Sequence, residues 1–357
     1  MKKILSNSEK RKNYITFLVV IVAYAIMQTL ASLGMLSSSM KSQLVPICVY
    51  VVLAVSLNLV VGISGELSLG HAGFMGVGAF TGAVVAGVLK NSVDNDMLRL
   101  LMILIAGGLT AGFSGFLIGM PVMRLRGDYL AIVTLAFGEI LKNIIGQLYI
   151  GYDVNGLHVA FVNSDKIELA DGGKMLIDGA MGATGITKLA TFTAGIVLVL
   201  FTLFVVLNLV DSKEGRAIKA IRDNRIAAES VGLNVTAFRM KAFVVSAILA
   251  GMAGALFGLN YSSMAASKFN FNTSINILVF VVLGGMGNVL GSVISAAVLY
   301  VLPEAMRSLE DYRMILYAVV LILVMLFTWS PKVKERVAVV TDKFKGIFRK
   351  KEVETNG

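Results

Sequence analysis

Residues 211–241 read DSKEGRAIKAIRDNRIAAESVGLNVTAFRMK, a long charged segment enclosed on both sides by apolar sequence. Its placement decides how the rest of the chain is read. Ala217, Ile218, Ile221 and Ile226 fall near one face of a helix, while Arg216, Lys219, Arg222, Asp223 and Arg225 take the remainder. The spacing predicts a cationic amphipathic helix, with Asn224 as punctuation and Gly232 as a C-terminal stop.

The surrounding sequence is that of a membrane protein. Hydrophobic residues make up 57% of the 357, charged residues 15%, and the mean hydropathy is +0.81, all outside the range of an ordinary soluble domain. The formal charge of +10 is expected to follow the positive-inside rule and carries no nucleic-acid signal. One cysteine, Cys48, lies in an apolar run, which excludes an intrachain disulfide framework or a cysteine-based metal site. The basic start, residues 1–13, precedes an apolar run too long for the core of a signal peptide, so it reads as an uncleaved first span.

Apolar blocks fall at 14–36, 43–61, 67–89, 97–122, 128–150, 189–210, 242–264, 275–302 and 313–329, nine in all. Basic residues in 1–13, at Arg124 and Arg126, and through the 211–241 loop place all three on the cytoplasmic side, and alternating spans agree. Segment 151–188 then lies outside, its acidic residues outnumbering its lysines, and its glycines and short apolar runs suggest a small hairpin or loop. A basic tail, 331–357, also belongs inside, whereas nine crossings would leave it outside. The block 275–302 resolves the conflict, because it is long and interrupted by Gly284, Gly285, Gly287 and Gly291. A similar break is expected at Gly62 and Gly65. Broken helices are tolerated where they are buried or line a cavity. The expected fold is an all-α polytopic membrane protein of about ten segments, some broken or re-entrant, with 14–330 as the transmembrane domain and both termini cytoplasmic. Glycine-broken blocks in the two halves hint at an internal duplication. Glycines spaced by four, such as Gly78/Gly82, Gly108/Gly112, Gly115/Gly119 and Gly254/Gly258, predict close helix packing within the chain in preference to dimerisation.

No phosphate-binding G-x-x-x-x-G-K-[ST] occurs, so the chain carries no ATP site of that kind. Gly62-Ile63-Ser64-Gly65 resembles the nucleophile motif of rhomboid proteases, but the chain has only His71 and His158. His71 follows Ser64 in the same broken stretch and His158 falls in the outside loop, so no serine–histidine pair is expected. Glu139 sits near the centre of the fifth span with Lys142, Asn143 and Gln147 after it, giving that helix one polar side. A charge at mid-span costs about 2.5 to 3.5 kcal/mol and requires a partner or a wet cavity. A structural Glu139/Lys142 pair is favoured over contact with a substrate, and both readings stay open. Asn58, Ser68, His71, Glu139 and Asn143 are the candidate path-lining residues; for Asn58, Ser68 and Ser246 interhelical hydrogen bonding is the favoured reading, as it is for His71.

Several stretches resemble one family. LNLVVG (57–62) followed by GELSLGHAGF (65–74) and GVGA (76–79) looks like the early signature of branched-chain amino acid ABC transporter permeases. YLAIVTLAFGEI (129–140) resembles the second signature of the larger, M-type subunit. GRA (215–217), Arg222 and AAESVGLN (227–234) are similar to the family's cytoplasmic coupling loop, and LGGMGNVLG (283–291) to its late glycine signature. Ala227-Ala228-Glu229 departs from the Glu-Ala-Ala order of the general ABC loop motif.

The resemblance implies an importer built from two related permeases, two cytoplasmic ATPase subunits that bind ATP and Mg, and an extracytoplasmic binding protein delivering hydrophobic amino acids. It implies a subunit of the cell (inner) membrane that is not an enzyme and holds no cofactor of its own, with lipid but no nucleic acid among its partners. Arg216, Arg222, Ala228, Glu229 and Gly232 are then the expected ATPase-coupling residues. From pattern alone, a basic amphipathic helix resting on anionic lipid is preferred; the resemblance reverses that order. Alternatives are a urea, amide or simple-sugar ABC permease and, from another class, an ion-coupled secondary transporter using Glu139.

Overall fold

A computed structural model describes residues 2–90, 92–125, 127–153, 156–162 and 173–306, together with 315, 318, 319, 321 and 322. It contains two compact units, Met1–Val298 and Leu299–Gly357. Most of the apolar block 313–329 and all of the tail 331–357 lie outside the described residues.

Helices dominate. They are α1 (Lys2–Ser32), α2 (Ser38–Asn58), α3 (His71–Leu89), α4 (Asp96–Val122), α5 (Asp128–Gly146), α6 (Phe192–Asp211), α7 (Lys213–Asp223), α8 (Arg225–Ser230), α9 (Val235–Gly258), α10 (Phe271–Gly284) and α11 (Val289–Ala305). Among the described residues eight helical stretches are long and apolar enough to cross a membrane, and Val289–Glu304 is a shorter apolar one. Short polar residues set the starts. Ser37, Asn95, Thr191, Ser212, Asn224, Asn234 and Asn270 each accept a backbone N–H of the first turn of the helix they precede. Such caps satisfy donors that the helix itself cannot.

The centre of the bundle is α2, α3, α4 and α9, and glycine is what lets three of them meet. A Cβ on Gly78 would lie 2.0 Å from the Gly251 carbonyl oxygen, and one on Gly254 1.9 Å from that of Met75. On α4, a Cβ at Gly112 would lie 2.5 Å from Ile248 Cγ1 of α9. The spaced glycines therefore serve contacts within the chain, as the sequence reading preferred. By contrast α1 is the least enclosed of the spanning helices and presents Leu18, Ile21 and Val22 outward.

Both anticipated breaks are present. The block 275–302 is a helical hairpin, α10 and α11, turned at Gly285 (φ 90°) and Gly287 (φ 83°), with Gly284 and Gly291 backbone against backbone and Ser295 Oγ donating to the Phe280 carbonyl. That arrangement divides the block into two helical segments, as expected. The other break follows α2, which continues as a π-helical turn, Leu59–Ser64, and stops at Gly65 (φ 77°). A run without regular secondary structure, 65–70, then leads to α3, which starts against α5: the Leu69 N–H donates to Thr134 Oγ1 at 3.0 Å. The Ala72 N–H donates to Ser274 Oγ of α10, also at 3.0 Å. Helix α3 is thus shorter than the block 67–89, and Ser68 precedes it.

The segment expected to be a hairpin or loop is a small sheet. Its strands are β1 (Leu148–Asp153), β2 (Gly156–Phe161), β3 (Lys174–Asp178), β4 (Gly182–Thr184) and β5 (Ser263–Met264), all antiparallel in the order β2-β1-β3-β4-β5. The fifth apolar block therefore ends as a helix at Gly146, and its last residues form β1. Because β5 lies between α9 and α10, the sheet ties that connection to the end of the bundle where α5 stops and α6 begins. The α7–α8 segment lies beyond the far ends of α6 and α9.

Candidate coupling site

The charged segment is two helices, not one. The Asn224 N–H ends α7 on the Ala220 carbonyl, while its side chain accepts the Ala227 N–H and starts α8. Ile218 of α7 packs on Leu59 and Ile63 of the π-helical turn and on Ala242 of α9. Ile221 packs with Ala228 and Val235. Two expectations are corrected by this. Ile226 does not share the buried face, since the break turns it outward to 79% exposure. Ala228 is 4% exposed and holds α8 onto α7, so it does not present a docking surface. Gly232 (φ 83°) closes α8 as expected, its N–H donating to Glu229 O and the Leu233 N–H to Ala228 O.

Arg222 joins this hairpin to the helix breaks. Its Nη1 donates to the Gly62 carbonyl at 2.9 Å, while Nε and Nη2 hold Asp223 Oδ1 at 3.2 and 3.0 Å. That carbonyl belongs to the π-helical turn, a conformation frequent at functional sites. Gly65 allows the approach, because a Cβ there would lie 2.6 Å from Arg222 Cγ. On its other side Gly62 touches the second break: a Cβ would lie 2.2 Å from the Gly287 nitrogen, and the Gly287 N–H donates to Asn58 Oδ1 at 2.8 Å. Gly62, Gly65 and Gly287, separate glycine signals in the sequence, are therefore one contact with Arg222 at its edge.

Beside it lies a buried ion pair that the sequence reading passed over. Arg239 Nη2 of α9 meets Glu66 Oε1 at 2.5 Å, with side chains 12% and 7% exposed. Burial pushes the Glu66 carboxyl above its ordinary range, while Arg239 and then Arg225 pull it back. An acid inside a glycine-rich apolar run is itself the signal for such a site, because a charge in that setting needs a partner. Arg239 Nε and Nη1, Asn58 Nδ2 and Ser68 Oγ are buried without a hydrogen-bond partner.

The other residues expected to couple make local contacts. Arg216 Nη1 donates to the Asp211 carbonyl at 3.0 Å, and Arg225 pairs with Glu229 at 2.8 Å. Of the path candidates, Asn58, Ser68 and His71 are buried. His71 Nε2 lies 2.8 Å from Ser56 Oγ, and Ser246 Oγ donates to the Ser56 carbonyl at 2.6 Å, both interhelical hydrogen bonds. Glu139 pairs with Lys142, and its other oxygen accepts the Phe271 N–H at the start of α10 at 3.0 Å. Asn143 is exposed. The structure brings Asn58 to the Gly62–Gly287 contact that Arg222 also reaches and leaves Glu139 and Asn143 apart from it on α5.

Comparison with known proteins gives the same picture from another direction. A family profile described as "Branched-chain amino acid transport system / permease component" matches residues 39–326. The chain is 33% identical over 333 residues to the high-affinity branched-chain amino acid transport system permease protein LivM of Salmonella typhimurium, covering 90% of this chain and 74% of that one. Against LivM of Escherichia coli it is 35% identical over 293 residues, 80% of this chain and 67% of that one. It is also 23% identical over 282 residues to the LivH permease protein of Salmonella typhimurium, covering 78% and 88% of the two chains.

Proposed function

Since the chain belongs to the family of branched-chain amino acid transport permease components, we propose that it contributes one side of the translocation path for branched-chain or other hydrophobic amino acids. It is a multi-pass membrane protein and a permease subunit of an ABC importer. In our reading a second, related permease supplies the other side, an extracytoplasmic binding protein delivers the cargo, and two ATPase subunits hold ATP and Mg. This subunit performs no hydrolysis and has no cofactor of its own. It sits in the inner membrane with the sheet outside and the α7–α8 hairpin, with both termini, in the cytoplasm.

The observation that carries the mechanism is the bond from Arg222 to the Gly62 carbonyl. The α7–α8 hairpin docks on an ATPase through exposed Ile226 and Val231, which are apolar, with Arg216 and Glu229 at the rim. When the nucleotide sites close, α7 shifts as a body. Arg222 transmits that shift to the π-helical turn, and Asn58 passes it through Gly287 to the α10–α11 hairpin. Rigid helices moving about glycine breaks then alternate access between the two sides.

Reconstituting the chain with and without its partners tests this reading. Uptake that needs ATP and all partner subunits is the expected result; gradient-driven uptake by the isolated polypeptide would overturn it. A cysteine at Val231 should crosslink to an ATPase subunit, and crosslinking to lipid alone would remove the docking assignment.

A further inference from the structure

The surface of the spanning helices is apolar where α1, α4 and α6 present it: Leu18, Phe113, Phe116 and Phe204 are all well exposed. The face shared by α5 and α10 differs. On α10, Asn272 and Asn276 are exposed and four residues apart, so they stack on one side of the helix. On α5, Asn143 is exposed one turn beyond Glu139, and the Glu139/Lys142 pair is 34% and 23% exposed. The two sets are adjacent because Glu139 accepts the Phe271 N–H, one residue before Asn272.

Their directions matter. From Glu139 to Asn143 the chain climbs toward the sheet, and from Asn272 to Asn276 it descends toward the Arg222 end. Each step of four residues rises about 6 Å, so the polar groups extend lengthwise for about 12 Å. A single polar spot would suit a helix-to-helix contact. A lengthwise strip within segments that cross the membrane cannot face lipid without a penalty at every step, so water or protein must cover it.

The chemistry of the strip narrows what passes along it. Primary amides and one internal ion pair give zero formal charge with both donors and acceptors present. A zwitterion needs that combination: acceptors for its ammonium, donors for its carboxylate, and no net field that would favour an ion. We propose that Asn272 and Asn276 of α10, with Glu139, Lys142 and Asn143 of α5, form a net-neutral polar track carrying the ammonium and carboxylate ends of a zwitterionic amino acid. The track rests on the permease reading and names the surface of this chain that meets the cargo. Exposed Ile140 and Ile144, beside the track on α5, give the apolar end of such a cargo a surface to slide along.

The test uses the complete importer with Cys48, the one native cysteine, replaced by alanine. Cysteines placed singly at Asn272, Asn276 and, as a lipid-facing control, Phe204 are treated with a charged, water-borne methanethiosulfonate. The first two should react at least about tenfold faster than the third, because the thiolate and the reagent both need water. Saturating L-leucine with its binding protein and ATP should slow them. Asn276→Leu should lower L-leucine uptake about tenfold while the assembly still forms, and Asn276→Gln should restore most of it. Cysteines that stay inert to the reagent but crosslink to the second permease would make the strip a buried protein contact and overturn the track, as would reaction with a lipid-borne maleimide alone. Absence of amino-acid uptake by the wild-type assembly would sink the permease reading itself, whereas inert cysteines in a transporting assembly sink only the track.

Discussion

Removing the Arg222 guanidinium deletes the hydrogen bond between the α7–α8 hairpin and the first helix break while leaving the packing of Ile218 on Leu59 and Ile63 in place. A hydrogen bond from a charged donor contributes about 1.5 to 3 kcal/mol when protected from water. The Arg222 side chain is 40% exposed, so solvent recovers part of that and about 1 to 2 kcal/mol is the appropriate range. The same energy is what the Arg222 bond can transmit to Gly62. Its loss should therefore lower the amino acid moved per ATP hydrolysed by about tenfold, the equivalent of 1.4 kcal/mol. Arg222→Lys should be nearly as damaging as Arg222→Ala, because an ammonium cannot hold the Gly62 carbonyl and Asp223 in one planar fork. Asp223→Asn, which leaves the bond to Gly62 intact, should stay close to wild type. The assay is uptake and ATP hydrolysis in the same proteoliposomes, expressed as a ratio. A wild-type ratio in Arg222→Ala, or full restoration by lysine, would refute transmission through the Arg222–Gly62 bond.

Three further substitutions separate other features of the fold. Gly254→Ala places a Cβ 1.9 Å from the Met75 carbonyl oxygen, so α3 and α9 must part, and a loss of about 3 kcal/mol or more is expected on denaturation in detergent. Gly112→Ala meets only the Ile248 side chain and should cost clearly less; equal losses would contradict the backbone-contact argument. Gly232→Ala has open space around it but a φ of 83°, so it should cost about 1 kcal/mol through strain alone, with Gly232→Asn milder. For Glu66, the upward shift means that the folded state holds its proton more tightly than the unfolded chain does. The linked stability is fully present below the ordinary value of 4.5 and is lost as pH rises through the raised one, so wild type should weaken relative to Glu66→Gln across that window. A flat or rising difference would show that the carboxyl is not shifted upward.

Features governed by local chemistry were legible in the sequence. Gly284 to Gly291 announced a turn inside an apolar block, Gly232 a helix stop, and the spaced glycines a close packing that α3, α4 and α9 display. The family signatures lay in the same places. What was not legible depended on contacts between distant segments. Nothing in the run around Arg222 says that it will meet Gly62, and Glu66 and Arg239 become partners only when α9 packs on the first break. The single amphipathic helix was divided because Asn224 competes with the backbone for hydrogen bonds, a role one residue can take without disturbing the surrounding periodicity. That division turned Ile226 outward and Ala228 inward. The strand after α5 was hidden for another reason: LYIGYD is apolar enough to extend a span, and only its pairing with β2 and β3 identifies it.

The pairing of β4 with β5 has a mechanical meaning. Backbone pairing across a sheet resists stretching, so the ends of α5 and α9 and the start of α6 are clamped together at one extremity of the bundle. At the opposite extremity the helix breaks meet through glycine backbone contacts, the packing of Ile218 and the bonds of Arg222 and Asn58. In the proposed mechanism a push on α7 is felt first at Gly62 and Gly287, which lie against Arg222, and last at the sheet. The chain can then offer an unchanging platform to whatever docks on the sheet while its other end swings.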